Sequence, residues 1–80
     1  MSQHTSKVKV YNRARGRWEP NAKVVLGWSG IVNLGHSQPA YTNENGIAYV
    51  NHASTGTATV YINGREVGSM RTPGEADFSI

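Results

Sequence analysis

TATVYINGREVGSM, running from Thr57 to Met70, decides the fold. Ala58, Val60 and Ile62 alternate with Thr57, Thr59 and Tyr61, the period of two that marks a strand with one buried face. Asn63-Gly64 then interrupts the alternation. A type I′ turn needs positive φ at both central residues, and Asn-Gly is the pair that adopts it most readily. The stretch therefore predicts a β-hairpin.

The same signal recurs on both sides. In KVKVY, Val8 and Val10 point one way while Lys7, Lys9 and Tyr11 point the other. AKVVLGW places Ala22, Val24, Leu26 and Trp28 on one face, and ADFSI does the same with Ala76, Phe78 and Ile80. In GIAYV either Ile47 and Tyr49 or their alternates face inward. Asn45-Gly46 opens that strand, Gly16 sits in the first turn, and Pro20, Pro39 and Pro73 fall where a central-strand amide is not needed. No window has helical periodicity. Strands at such spacing, separated by turn residues, indicate a sandwich or barrel. The expected fold is all-β, an antiparallel β-sandwich of about seven strands, as a single domain over residues 1–80 whose residues 1–6 form a disordered extension. Trp28 is expected in the core, and Tyr41, Tyr49 and Tyr61 as half-buried strand residues.

A chain of 80 residues buries only about 60% of the surface it exposes when unfolded, so each large apolar side chain matters. There is no cysteine, which excludes disulfides, a thiolate nucleophile and a Cys-based zinc site. His4, His36 and His52 do not have the spacing of a helical or hairpin metal site. MSQHTSKVKV has no apolar run of the signal-peptide kind, no Asn-x-Ser/Thr sequence occurs, and no segment is apolar enough to span a membrane. The expectation is an intracellular chain or a domain of something longer, with an excised extracytoplasmic domain left open.

The net charge of +3 is unevenly distributed: residues 1–23 carry +5 and the remainder −2. Such asymmetry can mark an acidic partner. Its source is Lys7, Lys9, Arg13, Arg15 and Arg17, ending at Trp18 in the stretch YNRARGRWEP. On an alternating strand the lysines and Tyr11 form an outer stripe, and Arg15 and Arg17 flank the turn. These are ingredients of single-strand nucleic-acid binding: phosphate contacts plus an aromatic on which bases stack. They also suit a charged edge that opposes aggregation, the preferred reading. Lys7, Lys9, Arg13, Arg15, Arg17 and Trp18 are the candidate partner- or polyanion-binding residues. Trp18 itself is expected to close one end of the sandwich as a lid, with a partner-facing ring as the alternative.

Ala22-x-Val24-x-Leu26, then Thr42-Asn43-Glu44-Asn45-Gly46, then Gly56, Thr59, Val60 and Ile62 resemble the AxVxL, TDxNG and GxYTVxVxG elements of carboxypeptidase regulatory-like and transthyretin-like domains. These are immunoglobulin-like sandwiches related to the Cna B-type repeats. The likeness spans about Lys7 to Gly68, with Asn43 in place of Asp, Trp18-Glu19 where Pro-Val is usual, and Asn21 in place of a second Gly. It implies an accessory module that spaces, stabilises or docks a neighbouring domain, and it implies no active site. The enzymatic hydroxyisourate hydrolase branch ends in Tyr-Arg-Gly-Ser, whereas this chain ends Asp77-Phe78-Ser79-Ile80.

TNENG also approximates part of a calcium loop, but its first and twelfth ligand positions would be Tyr41 and His52, neither of which offers a carboxylate oxygen. Its Asn side chains suit turn amides instead. Ser29, Ser37 or Ser54 could meet His36 or His52 in space, yet no GxSxG elbow favours it. The expectation is therefore a non-enzymatic module with no catalytic residues, metal or cofactor. Its partner would be another protein or a neighbouring domain, with nucleic acid the less favoured ligand and no membrane. A homodimer through edge pairing is open, because a sandwich leaves edges that another copy can extend.

Overall fold

The computed structural model describes residues 3–29 and 34–80. These form nine strands and no helix: β1 (His4–Asn12), β2 (Arg17–Trp18), β3 (Lys23–Ser29), β4 (Leu34–His36), β5 (Ala40–Tyr41), β6 (Ile47–His52), β7 (Gly56–Ile62), β8 (Arg65–Thr72) and β9 (Glu75–Ser79). Strands β1, β2, β6 and β9 make one sheet, and β3, β4, β5, β7 and β8 the other. The result is a two-sheet, sandwich-like all-β fold.

Register fixes the order within each sheet. Tyr11 is paired with both Trp18 and Ser79, and Lys9 with both Ile47 and Asp77. So β9 runs along one edge of β1, while β6 and β2 follow one another along the other. The handover occurs at Val10, whose N–H donates to Gly46 O and whose C=O accepts from Glu19 N, each at 2.8 Å. In the second sheet, Val24 is paired with Ala40 and Ile62, and Gly27 with His36 and Thr59. There β4 and β5 share one edge of β3, with β7 and then β8 beyond the other.

The Asn63-Gly64 hairpin forms as its sequence predicts. Asn63 has φ +54° and Gly64 φ +82°, and Asn63 further fixes β3 by accepting from Lys23 N through Oδ1 at 3.0 Å. The core is made by the alternating residues of both sheets. Val8, Val10, Ala48 and Val50 face Ala22, Val24, Leu26, Trp28, Ala58, Val60, Ile62 and Met70, and all are buried. Ala76, Phe78 and Ile80 pack against them, half-buried. In GIAYV it is the alternates Ala48 and Val50 that point inward.

Four expectations are corrected. The sheets are not wholly antiparallel: β9 pairs with β1 in parallel. After β8 the chain crosses to the other sheet at Thr72–Gly74, and Lys7 N donates to Gly74 O at 2.8 Å, so β9 starts beside β1 and runs with it. The strand number exceeds seven because β2, β4 and β5 are separate segments of two or three residues. Residues 4–6 are no loose extension, since β1 begins at His4 and the inward-facing Ser6 is fully buried; residues 1 and 2 lie outside the described part. Tyr41 and Tyr49 are 61% and 57% exposed rather than half-buried, because each occupies the outward parity of its strand.

Candidate interaction face

The outer face of the first sheet is assembled by period-two alternation on its four strands. Along β1 it carries Thr5, Lys7, Lys9 and Tyr11. Across one ladder these meet Asn51, Tyr49, Ile47 and Trp18 in turn. Across the other, Glu75 faces Lys7, Asp77 faces Lys9 and Ser79 faces Tyr11. Aromatic and aliphatic side chains thus line one flank, two lysines the centre and two carboxylates the other flank.

Trp18 belongs to this face and does not close the end of the sandwich. Its pairing with Tyr11 gives it the outward parity of that residue, and the residue is 37% exposed. The Tyr11 and Trp18 rings meet edge to face, with centroids 5.1 Å apart and planes at 82°, a favoured aromatic geometry. Gly46 makes room for it. A Cβ there would lie 2.8 Å from Trp18 Cβ and 2.8 Å from Val10 O, so only glycine lets β2 settle against the start of β6.

The remaining sequence candidates are dispersed. The turn between β1 and β2 is tied by Gly16 N to Asn12 O at 2.8 Å and Arg15 N to Asn12 Oδ1 at 3.1 Å. From it, Arg13 flanks a depression shared with Arg65 and Ile80, whereas Arg17 borders a different one beside Pro20 and Glu44. Arg15 is exposed at the tip. Lys7, Lys9 and Trp18 are brought together; the three arginines are not. Tyr49, Ile47, Glu75 and Asp77 join the face without having been singled out by sequence. Parity alone offers Tyr49, while the two carboxylates require knowledge that β9 lies beside β1.

Inside the sandwich, the structure gathers a polar cluster that sequence reasoning also missed. Ser6 Oγ lies 2.7 Å from His52 Nε2, and His52 Nδ1 lies 2.7 Å from Ser54 O. A carbonyl can only accept, so in the neutral imidazole Nδ1–H donates to Ser54 and Nε2 accepts from the Ser6 hydroxyl. Nearby, Trp28 Nε1 donates to Thr72 Oγ1 at 3.2 Å, and Thr72 Oγ1 donates to Gly56 O at 2.6 Å. The serine–histidine contact has the pattern of a nucleophile and base, but its third member is a carbonyl and both side chains are buried. It knits β1, β6 and the crossing to β9, since Gly74 N also donates to Ser6 Oγ at 3.3 Å. The signal for it was parity: Ser6 precedes Val8 by two, and His52 follows Val50 by two.

Of the other candidates, His36 lies on the outer face of the second sheet, 6.0 Å from the Tyr61 ring. Ser37 Oγ accepts from Leu26 N at 2.9 Å, and the Ser29 side chain lies outside the described part. Asn43 Oδ1 accepts from Asn45 N and Ile47 N at 2.9 and 3.1 Å, which commits it to the turn. Among the described residues no group of three or more His, Asp or Glu side chains could hold a metal ion, and no helix is long and apolar enough to cross a membrane. No known protein family matches the chain, and no curated protein matches its sequence.

Proposed function

We propose that this chain is a non-enzymatic accessory module that docks another protein or a neighbouring domain through the outer face of its first sheet. The observation that carries the reading is the composition of that face. Trp18, Tyr11, Tyr49 and Ile47 form an aromatic and aliphatic flank beside lysines whose register partners on β9 are Glu75 and Asp77. Interface cores favour Trp and Tyr, with polar groups of both signs at the rim. A polyanion would be served better by one sign of charge. Nucleic-acid binding through Lys7, Lys9, Arg13, Arg15, Arg17 and Trp18 is the weaker reading for that reason, and because the arginines diverge.

We also read the fold as immunoglobulin-like and transthyretin-like, of the carboxypeptidase regulatory-like kind. Support comes from the shared motifs. Ala22, Val24 and Leu26 are the inward residues entering and lining β3, and TNENG makes the turn before β6. Modules of this kind space or dock other domains.

The test is to capture a binding protein from source cells, prepare it pure and measure its affinity for variants. Trp18→Ala or Tyr49→Ala should weaken binding about tenfold or more, whereas Arg13→Gln/Arg15→Gln/Arg17→Gln should leave it unchanged. The reverse pattern overturns the reading.

A further inference from the structure

We propose that β6 pairs with β6 of a second copy, antiparallel, about a two-fold axis at Val50. The proposal stands on the backbone of a sheet edge and shares only the Tyr49 side chain with the functional reading above.

An edge strand displays unpaired amides and carbonyls, and proteins blunt it with charge, proline, bulges or brevity. Among the described residues, three of the four edges are blunted in that way. Strand β9 carries Glu75 and Asp77. Strand β8 carries Arg65, Glu66 and Arg71 and is bulged, because the register jumps between Val60 and Tyr61 and leaves Val67 unpaired. The β4/β5 edge consists of segments of three and two residues separated by Pro39. Strand β6 has none of these devices. IAYVNH contains no Lys, Arg, Asp, Glu, Pro or Gly, and runs for six residues.

The open groups on β6 can be named. Since Val10 N bonds to Gly46 O, the alternation of an antiparallel ladder directs the amides and carbonyls of Ala48, Val50 and His52 toward β1. Those of Ile47, Tyr49 and Asn51 point to the free edge. Ile47 is already satisfied, its N–H by Asn43 Oδ1 and its C=O by Asn43 N. Among the described residues, nothing else takes those of Tyr49 and Asn51.

Two open residues separated by one define a single self-complementary register. Tyr49 pairs with Asn51 of the second copy, Asn51 with its Tyr49, and Val50 faces Val50 on the axis. Each outer pair exchanges two backbone hydrogen bonds, four in all. Sliding the partner by two residues one way would use Ile47, whose groups the Asn43 turn has taken; sliding it the other way would use Ala53, which lies past the end of β6. The axis consumes the one edge left unguarded among the described residues of each copy, so the assembly closes as a dimer rather than growing into a fibre.

Chemistry at the edge favours a second copy over a foreign strand. No Lys, Arg, Asp or Glu lies between Asn45 and Gly64, so nothing repels across the axis, and there is no charge by which to select an unrelated peptide. The two Tyr49 rings stand diagonally across the axis on the outer face, a relation that aromatic side chains bridge. Each then covers part of a residue that is 57% exposed in the single chain. Asn51 keeps its side chain on its own sheet, where Oδ1 accepts from Thr5 Oγ1 at 2.8 Å, and offers only its backbone.

The contact is small, so association is expected to be weak and reversible. Sedimentation equilibrium on the full chain should show a monomer–dimer equilibrium. Amide exchange of Tyr49 and Asn51 should slow as concentration rises, while amides on the β9 edge do not respond. Tyr49→Glu and Tyr49→Lys should each weaken self-association about tenfold or more, since like charges then meet across the axis. An equimolar mixture of the two should restore a dimer, which a loss of folding could not produce. A wild-type chain that stays monomeric to millimolar concentration overturns the proposal, as does a dimer that survives both substitutions or is not restored by mixing.

Discussion

The Lys9 ammonium stands 4.2 Å from the centroid of the Trp18 ring. A lysine from β1 and an indole from β2 therefore hold one another, although β2 is only two residues long and gains little from its own hydrogen bonds. The cation–π contact and the edge-to-face contact with Tyr11 add to the Glu19 N–Val10 O bond in keeping this segment against the sheet.

Trp18→Ala should therefore destabilise the fold by about 1–2 kcal/mol, below the cost of emptying a core position, and Lys9→Gln by about 0.5–1 kcal/mol. Urea unfolding measures both. In Lys9→Gln the emission of Trp18 should change while that of the buried Trp28 does not, which a Trp18→Phe control separates. Equal stability of wild type and Trp18→Ala would mean that β2 is held by its turn alone.

Two glycines of the same conformational class should respond differently to alanine. Gly16 has φ +68° and open space, with nothing within 4 Å of where a Cβ would stand, whereas Gly46 has φ +74° with Trp18 Cβ and Val10 O both 2.8 Å from that position. Gly16→Ala carries only the left-handed backbone penalty, about 1–2 kcal/mol. Gly46→Ala adds overpacking against backbone and should cost about 1–3 kcal/mol more. Thermal unfolding ranks them, and the Tyr11–Trp18 contact should be lost in the second variant only.

How much of this arrangement is legible in the sequence depends on how far each contact reaches along the chain. The β7–β8 hairpin is local, and Asn63-Gly64 sets its turn without help. The inward set of β1 and β3 follows from parity, as does the outward stripe of Lys7, Lys9 and Tyr11. Trp18 is no lid, and the signal for its true place is present in the sequence: with the turn closed by Asn12 opposite Arg17, Trp18 must stand opposite Tyr11. Alternation says which face a residue takes but not which strand lies alongside. The parallel pairing of β9 with β1 joins the two ends of the chain, and no local pattern announces it. Sequence alone therefore does not show Glu75 and Asp77 opposing Lys7 and Lys9, nor Ser6 meeting His52, 46 residues away.

That buried pair supplies the third prediction. Ser6→Ala removes the donor to His52 Nε2 and the acceptor for Gly74 N, leaving polar groups unsatisfied in the interior, at a cost of about 1–3 kcal/mol. Thr72→Val, close in shape, should cost a similar amount by stranding Trp28 Nε1–H and Gly56 C=O. Thr5→Val, which breaks the exposed contact with Asn51, should stay within about 0.5 kcal/mol. Chemical denaturation checks all three. Because Ser6 is fully buried, a serine-directed fluorophosphonate should leave the folded chain unlabelled; labelling at Ser6 would reopen a catalytic reading.

The carboxylates of β9 give the last prediction. In register, Glu75 is the β9 partner of Lys7 and Asp77 that of Lys9, so each lysine of the apparent basic stripe has a carboxylate on the neighbouring strand. Glu75→Gln/Asp77→Asn should unmask them and raise the formal net charge from +3 to +5. Phosphate binding grows with the number of unopposed cations and is strongest at low salt. Fluorescence anisotropy of a labelled single-stranded oligonucleotide at about 50 mM salt should accordingly show weak or no binding to the wild type and clear binding to the double variant, lost again by about 200 mM. Strong salt-dependent binding by the wild type would mean that the opposed charges do not suppress polyanion contact, and the aromatic flank beside Trp18 would then become a base-stacking surface. No gain in the double variant would place the barrier elsewhere, in the divergence of Arg13, Arg15 and Arg17 around their turn.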